Sequence, residues 1–298
     1  MTKHSSSGWK DRPEKGSPIL IGLLANASLF FGRRITRPVI YCVAFFYVCF
    51  AKTARHASRS YLSRVFNRPP SALEVYKHFL YFSSVTHDRL YLLAGGFSSF
   101  RISINGQNEI EAALLNNAGV MLYGAHFGSF EAVRYTANNR PDLKISILMY
   151  EKNSEKLAKI FHKISPDLAN VIIPLGSIQT MLTVKERLSE GHMVGILADR
   201  SVKNEPGIKR RFLGSEATFP LAPFRLPNLF ASPICFIAGI YEGGNRYRIF
   251  FRDLNPENVE ISPESILTLY ANTLEELCMA NPYNWFNFYD FWECNEAT

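Results

Sequence analysis

The sequence predicts an α/β fold: a mostly parallel, mixed sheet flanked by helices, with a helical, membrane-associated region at the N-terminus. Three observations predict it. From Phe100 onward, short apolar runs alternate with helical patterns; late in the chain, two strand-like segments meet at a glycine-rich turn; and the first 70 residues join apolar stretches to basic clusters.

Taken in order, a polar start (Met1 to Lys15) leads into two apolar segments, Ile19 to Phe31 and Val39 to Ala51. Residues 1–70 hold 12 basic and 2 acidic residues, whereas the other 228 hold 21 basic and 24 acidic, so the basicity sits at one end. Such a patch predicts an anionic surface as partner. Arg33, Arg34 and Arg37 precede the run Val39 to Ala51, and Lys52, Arg55 and Arg59 follow it. An apolar run between cations suits lipid and serves no purpose on nucleic acid, which is excluded as a partner. At 13 residues the run is about 20 Å long as a helix, short of a hydrocarbon core near 30 Å, so an in-plane or re-entrant helix is expected. A buried core helix is the other reading. The stretch Ile19 to Leu24 is too short for a secretory signal. With no C-x-x-C or His/Cys ligand spacing, the five cysteines read as reduced, buried thiols of a cytoplasmic-side protein.

Pro69-Pro70 then separates the N-terminal region, 1–70, from an α/β domain, 71–298. Ser71 and Glu74 have capping-box spacing before an apolar-periodic helix. Strands are predicted at Ile102 to Ile104, Val120 to Tyr123, Ile145 to Met149, Val171 to Ile173 and Met193 to Leu197, and helices at Glu109 to Leu115, Glu155 to Phe161 and Ile178 to Leu188. Ser232 to Ile240 and Tyr247 to Phe251, joined through Gly243-Gly244, predict a hairpin that gives the sheet an antiparallel edge. Ser262-Pro263 opens a last helix.

The segment Tyr123 to Glu131 leaves a strand, passes two glycines and enters a helix, the position where parallel α/β sheets place their sites. His126 and Glu131 are five residues apart, roughly 140° around a common helix, so they meet only if His126 lies in the loop and Glu131 reaches back from the first turn. One imidazole nitrogen would then be fixed by a carboxylate and the other would face the cleft as a base. The helix N-terminus adds N–H groups that could steady an oxyanion. A structural hydrogen bond from a loop histidine is the bland alternative.

A histidine followed four residues later by an acid, after a strand and with glycine between, resembles the first motif of the lysophospholipid acyltransferase superfamily, and within it the lipid A late acyltransferases. Met149-Tyr150 with Asn153 resembles the second block; Gly195 to Arg200, Phe212-Leu213-Gly214 and Phe219-Pro220 the third; Ala231-Ser232-Pro233 the fourth; and Asn281 to Phe288 the closing segment. Glu151 and Arg200 stand where these enzymes usually carry Arg and Gln, and in this the chain is more similar to acyltransferases of bacterial aryl-polyene lipid pathways. The resemblance implies an acyltransferase on the cytoplasmic face of a bacterial inner membrane. It would move a fatty acyl group from an acyl carrier protein or coenzyme A thioester to a hydroxyl of a lipid or lipid precursor. His126 and Glu131 would be catalytic and Tyr150, Gly128, Asp199, Arg200 and Arg211 would contact substrate, with no metal and no cofactor beyond the thioester co-substrate.

Read physically, Arg200 past a strand end suits a phosphate or carboxylate, or else a surface ion pair with Asp199. Lys209 to Arg211 suits phosphopantetheine, a carrier protein or head groups, or is a solvated loop. The aromatic closure around Trp285 reads as core first and acyl channel second. Two other functions stay open: a non-catalytic lipid-binding protein at the membrane, and an acyl hydrolase, although no G-x-S-x-G elbow occurs.

Overall fold

A computed structural model describes residues 18–114, 119–138, 143–149, 171–176, 178–200, 206–255 and 262–292. Its centre is a seven-stranded sheet. The strands are β1 (Arg101–Asn105), β2 (Val120–Gly124), β3 (Ile145–Met149), β4 (Ile172–Pro174), β5 (Met193–Leu197), β8 (Ile234–Gly243) and β9 (Arg246–Asp253), in the order β1-β9-β8-β2-β5-β3-β4. All neighbouring pairs are parallel except β8 with β9. The hairpin therefore forms as expected, but it is not the edge: β1 adds outside it, in parallel with β9. A second hairpin, β6 (Gly207–Phe212) with β7 (Ser215–Pro220), stands apart and contains the basic run Lys209 to Arg211, for which a solvated loop was one of the two readings.

Every residue of β2 is buried, as a strand covered on both faces requires. Met121 and Tyr123 face one apolar cluster, and Val120 and Leu122 face the other. The helices that cover the sheet are α4 (Ala72–Leu93), α5 (Gln107–Leu114), α6 (Phe130–Asn138), α7 (Ile178–Ser189), α8 (Ala222–Phe230) and α9 (Pro263–Ala280). Both expected caps form: the Ser71/Glu74 box opens α4, and Ser262 opens α9. The helix expected at Glu155 to Phe161 lies outside the described residues.

Ahead of these come α1 (Pro18–Phe31), α2 (Arg33–Phe50) and α3 (Lys52–Phe66). Among the described residues no single helix is long and apolar enough to cross a membrane; α2 and α3 pass that test only together and bend by 94° at Ala51. Three of the six flanking cations serve the protein itself. Arg33 and Arg37 bind the buried carboxylate of Asp88 on α4, with Arg33 bidentate at 2.7 and 3.0 Å and Arg37 at 3.1 Å. Arg55 donates to the carbonyls of Val48 and Cys49 at the end of α2. The cause is a buried carboxylate and open helix-end carbonyls, which need donors more than lipid does. Arg34, Lys52 and Arg59 stay exposed. Cys235 and Cys278 are buried as expected, Cys42 and Cys49 are exposed on the outward side of α2, and Cys294 lies outside the described residues.

Candidate active site

The loop after β2 and the loop after β5 lie side by side because those strands are parallel neighbours, with Gly124 opposite Leu197. Two residues beyond each partner stand His126 and Asp199. The imidazole Nδ1–H donates to Asp199 Oδ1 at 2.8 Å, and the His126 backbone N–H donates to Oδ2 at 3.0 Å. Trp285 completes the carboxylate's shell, its indole N–H donating to Oδ2 at 3.0 Å. Asp199 is wholly buried, while the His126 side chain keeps 30% of its surface exposed. Among the described residues nothing hydrogen-bonds Nε2, so the bond at Nδ1 assigns the tautomer and leaves Nε2 a lone pair toward the open side.

The charges support that state. Burial lowers the pKa of His126 below its ordinary value, the Arg200 guanidinium lowers it further, and Asp199 opposes both. Burial would raise Asp199, but His126, Arg200 and the Trp285 hydrogen bond outweigh it and hold the carboxylate at about 2. At neutral pH the pair is an unprotonated imidazole on an ionised carboxylate.

The carboxylate expected to meet His126 was that of Glu131, and the structure corrects this. Glu131 sits in the first turn of α6 and points to α4, where Arg89 binds it at 2.5 Å. A nearby cation and the helix direction take it away from the imidazole. Ser129 is the cap of α6: its hydroxyl is fully buried and accepts the Ala132 N–H at 3.2 Å.

Glycine explains how the loop lies flat on the sheet. Gly128 has φ 61°, and a Cβ there would stand 2.0 Å from the carbonyl oxygen of Gly239 on β8. The loop is then sewn down by Gly128 N–H to Asn284 O (2.8 Å), Ser129 N–H to Gly239 O (2.7 Å) and Phe286 N–H to His126 O (2.7 Å). Gly128 was expected to contact substrate, but its amide and its missing side chain are both used here. With the amides of Gly128, Ser129 and Ala132 already bonded, those three cannot form the expected oxyanion site.

Of the other expected contacts, Asp199 is too buried to meet a substrate and holds the His126 ring and amide instead. Arg200 lies next to the pair, donating from Nη2 to Phe286 O at 3.0 Å and stacking 5.5 Å from the Tyr289 ring. Arg211 is exposed on β6, and strand alternation turns it away from its neighbour Phe212, which packs on Trp285. It is not brought to His126. Tyr150 lies outside the described residues. Sequence reasoning missed Trp285 as a donor. The available signal was an indole in an otherwise apolar closure, because a buried indole N–H needs an acceptor.

Comparison with known proteins gives one result. Residues 93–293 match the family model described as bacterial lipid A biosynthesis acyltransferase, over a span that contains His126, Asp199 and Trp285. A search of curated proteins returns no match.

Proposed function

The chain belongs to the bacterial lipid A biosynthesis acyltransferase family, and we propose that it passes a fatty acyl group directly from a thioester to a lipid hydroxyl. That it is an acyltransferase acting with an acyl donor and a lipid acceptor follows from the family. The finer reading rests on one observation: His126 is held at Nδ1 by Asp199 and presents Nε2 unpartnered.

In this scheme Nε2 takes the proton of the acceptor hydroxyl as its oxygen attacks the thioester carbonyl carbon. The Nδ1 proton stays on the ring, hydrogen-bonded to Asp199, and the ionised carboxylate stabilises the imidazolium that forms. When the tetrahedral adduct collapses, the carbon–sulfur bond breaks and Nε2 returns its proton to the departing thiolate. An ester and a free thiol result, with no acyl-enzyme. Acyl carrier protein or coenzyme A carries the thioester as co-substrate, no cofactor enters, and Arg200 meets an anionic group of the acceptor. The site works at the cytoplasmic face of a bacterial inner membrane, on which α1 and α2 rest.

Incubation with dodecanoyl thioesters of carrier protein and of coenzyme A, plus a bacterial lipid extract, tests the reading by mass spectrometry. A lipid should gain one acyl mass with wild type and none with His126→Ala. Thioester loss without any acylated lipid would favour a hydrolase, and an acyl group trapped on Ser129 or a cysteine would end direct transfer.

A further inference from the structure

Trp285 is fully buried, and the aromatic rings around it leave its plane little freedom. Tyr61, Phe212 and Phe291 meet it edge-on with ring centroids 5.1, 5.4 and 5.1 Å away. A box of this kind fixes where the one polar atom of the indole points. It points at Asp199 Oδ2.

The backbone on either side of Trp285 grips the other half of the pair. Asn284 O accepts from Gly128 N–H and Phe286 N–H donates to His126 O, so residues 284–286 run antiparallel along the histidine loop, bridging at Phe127 and Trp285. The Asn284 side chain is itself bonded both ways to the backbone of Tyr241 on β8, at 2.8 and 3.1 Å. One short segment therefore holds the base through its main chain and the carboxylate through its indole. The segment is anchored in turn: Trp285 O accepts from His78 Nε2 at 2.9 Å, and His78 Nδ1 meets Ser58 Oγ at 2.9 Å.

We infer that Trp285 is a positioning residue for the base: its indole N–H fixes the rotation of the Asp199 carboxylate so that Oδ1 stays in line with His126 Nδ1. The inference rests on the acyl-transfer reading above. A carboxylate of free rotation can offer either oxygen, or both partly, to the imidazole. With Oδ2 held by two donors, the His126 amide and the indole, Oδ1 is committed to Nδ1. Trp285 touches no reacting atom in this role, so its loss should leave substrate affinity alone and slow the chemical step.

The test is removal of the N–H with the ring shape kept. Benzothienylalanine in place of Trp285 exchanges N–H for sulfur in a nearly isosteric ring; W285F is the simpler variant, and it also opens space in the box. Two readouts are needed in each: the rate of dodecanoyl transfer to lipid, and the titration of the His126 ring followed by nitrogen-15 NMR, which needs no substrate. Loss of a hydrogen bond to a charged group should lower the maximal rate roughly 10-fold with the Michaelis constant for the thioester unchanged. With the indole donor gone, the carboxylate's charge falls more fully on the imidazole, so the His126 titration should move to higher pH. A slower enzyme whose His126 titrates as in wild type would overturn the inference, reducing Trp285 to packing, and so would an unchanged rate in the sulfur analogue. His126→Ala is run alongside: full activity there would refute His126 as the base, and with it the reading on which the inference rests, whatever the tryptophan variants do.

Discussion

A carboxylate on Nδ1 sets both the tautomer and the basicity of an imidazole, so the variants at the pair should differ in kind and not only in degree. His126→Ala should fold normally and lose about 10²- to 10⁴-fold in transfer rate, measured as acylated lipid per minute. Asp199→Asn offers an amide that can donate to Nδ1 and so favours the wrong tautomer; its plateau rate should fall by a similar order, with the acid limb shifted to lower pH. Glu131→Gln should cost less than either and show its effect in stability, since Glu131 joins α6 to Arg89 of α4. The pH dependence has a definite sign. Burial and Arg200 hold His126 below 6.5, so the reactive neutral form is complete above that pH and is lost as pH falls below it. Arg200→Gln removes a repelling charge and should move the acid limb upward; an unmoved limb would disprove the coupling. His126, Asp199 and Glu131 were all legible as candidates, but the pairing was not. Sequence spacing favours near neighbours, and Asp199 becomes a neighbour only through the β2–β5 register, in which both residues stand two places past paired strand ends.

At the scale of elements, runs and caps were readable because they depend on local chemistry: the Ser71 box, the Ser262 cap and the Gly243-Gly244 turn all appear where the residues required them. Strand order was not readable, and neither was the β6–β7 hairpin, whose GIKRRF alternates faces with Lys209 and Arg211 on the exposed side and looks like a solvated loop until Phe212 finds Trp285. The fastening of α2 to α4 was hidden for another reason, since Asp88 stands 51 residues from Arg37. Asp88 also accepts from Tyr247 at 2.9 Å. Asp88→Ala would strand two arginines without their carboxylate and should destabilise by about 3–5 kcal/mol in urea unfolding. A loss under about 1 kcal/mol would mean the cluster behaves as a surface ion pair. The second acid-sensitive element is α4 through His78. Burial drives this imidazole down to about 4, so the folded state excludes a proton that the unfolded chain takes up near 6.5. Its contribution is whole above 6.5 and is lost as pH falls toward 4, on the order of 3 kcal/mol. His126, likewise depressed, adds in the same direction. His78→Gln, compared at pH 7 and 4.5, should flatten the acid decline even if it lowers stability at pH 7.

For the whole molecule, the question is what the N-terminal helices meet, and the structure divides their residues into two sets. Arg33, Arg37 and Ala44 face inward to α4 and the sheet. On the outward side of α2, Ile35, Phe46 and Phe50 are 67%, 56% and 69% exposed, at intervals of 11 and 4 residues that return to one helical face. A patch this apolar on a family member that acts on lipid is expected to enter a bilayer at its interface. The charge pattern visible in the sequence pointed to the same expected partner but could not sort its six cations, because composition cannot tell Arg33 and Arg37, spent on Asp88, from Arg34, Lys52 and Arg59, left in water. The magnitudes now rank the two sets. Burying each large apolar side chain is worth about 1.5–3 kcal/mol, while each cation near an anionic surface adds about 1 kcal/mol. The Ile35→Ser, Phe46→Ser, Phe50→Ser variant should therefore lose most binding to vesicles of anionic and zwitterionic lipid, with its melting temperature nearly unchanged because those groups are already in water. Neutralising Arg34, Lys52 and Arg59 to Gln should weaken binding only at low salt, where screening is slight. Arg33→Gln with Arg37→Gln should do the reverse, lowering stability while leaving vesicle binding in place. Flotation of all three variants at 50 and 500 mM salt separates these outcomes. If the serine variant floats like wild type, the outward face of α2 does not meet the membrane, and the rest of the chain must find its lipid another way.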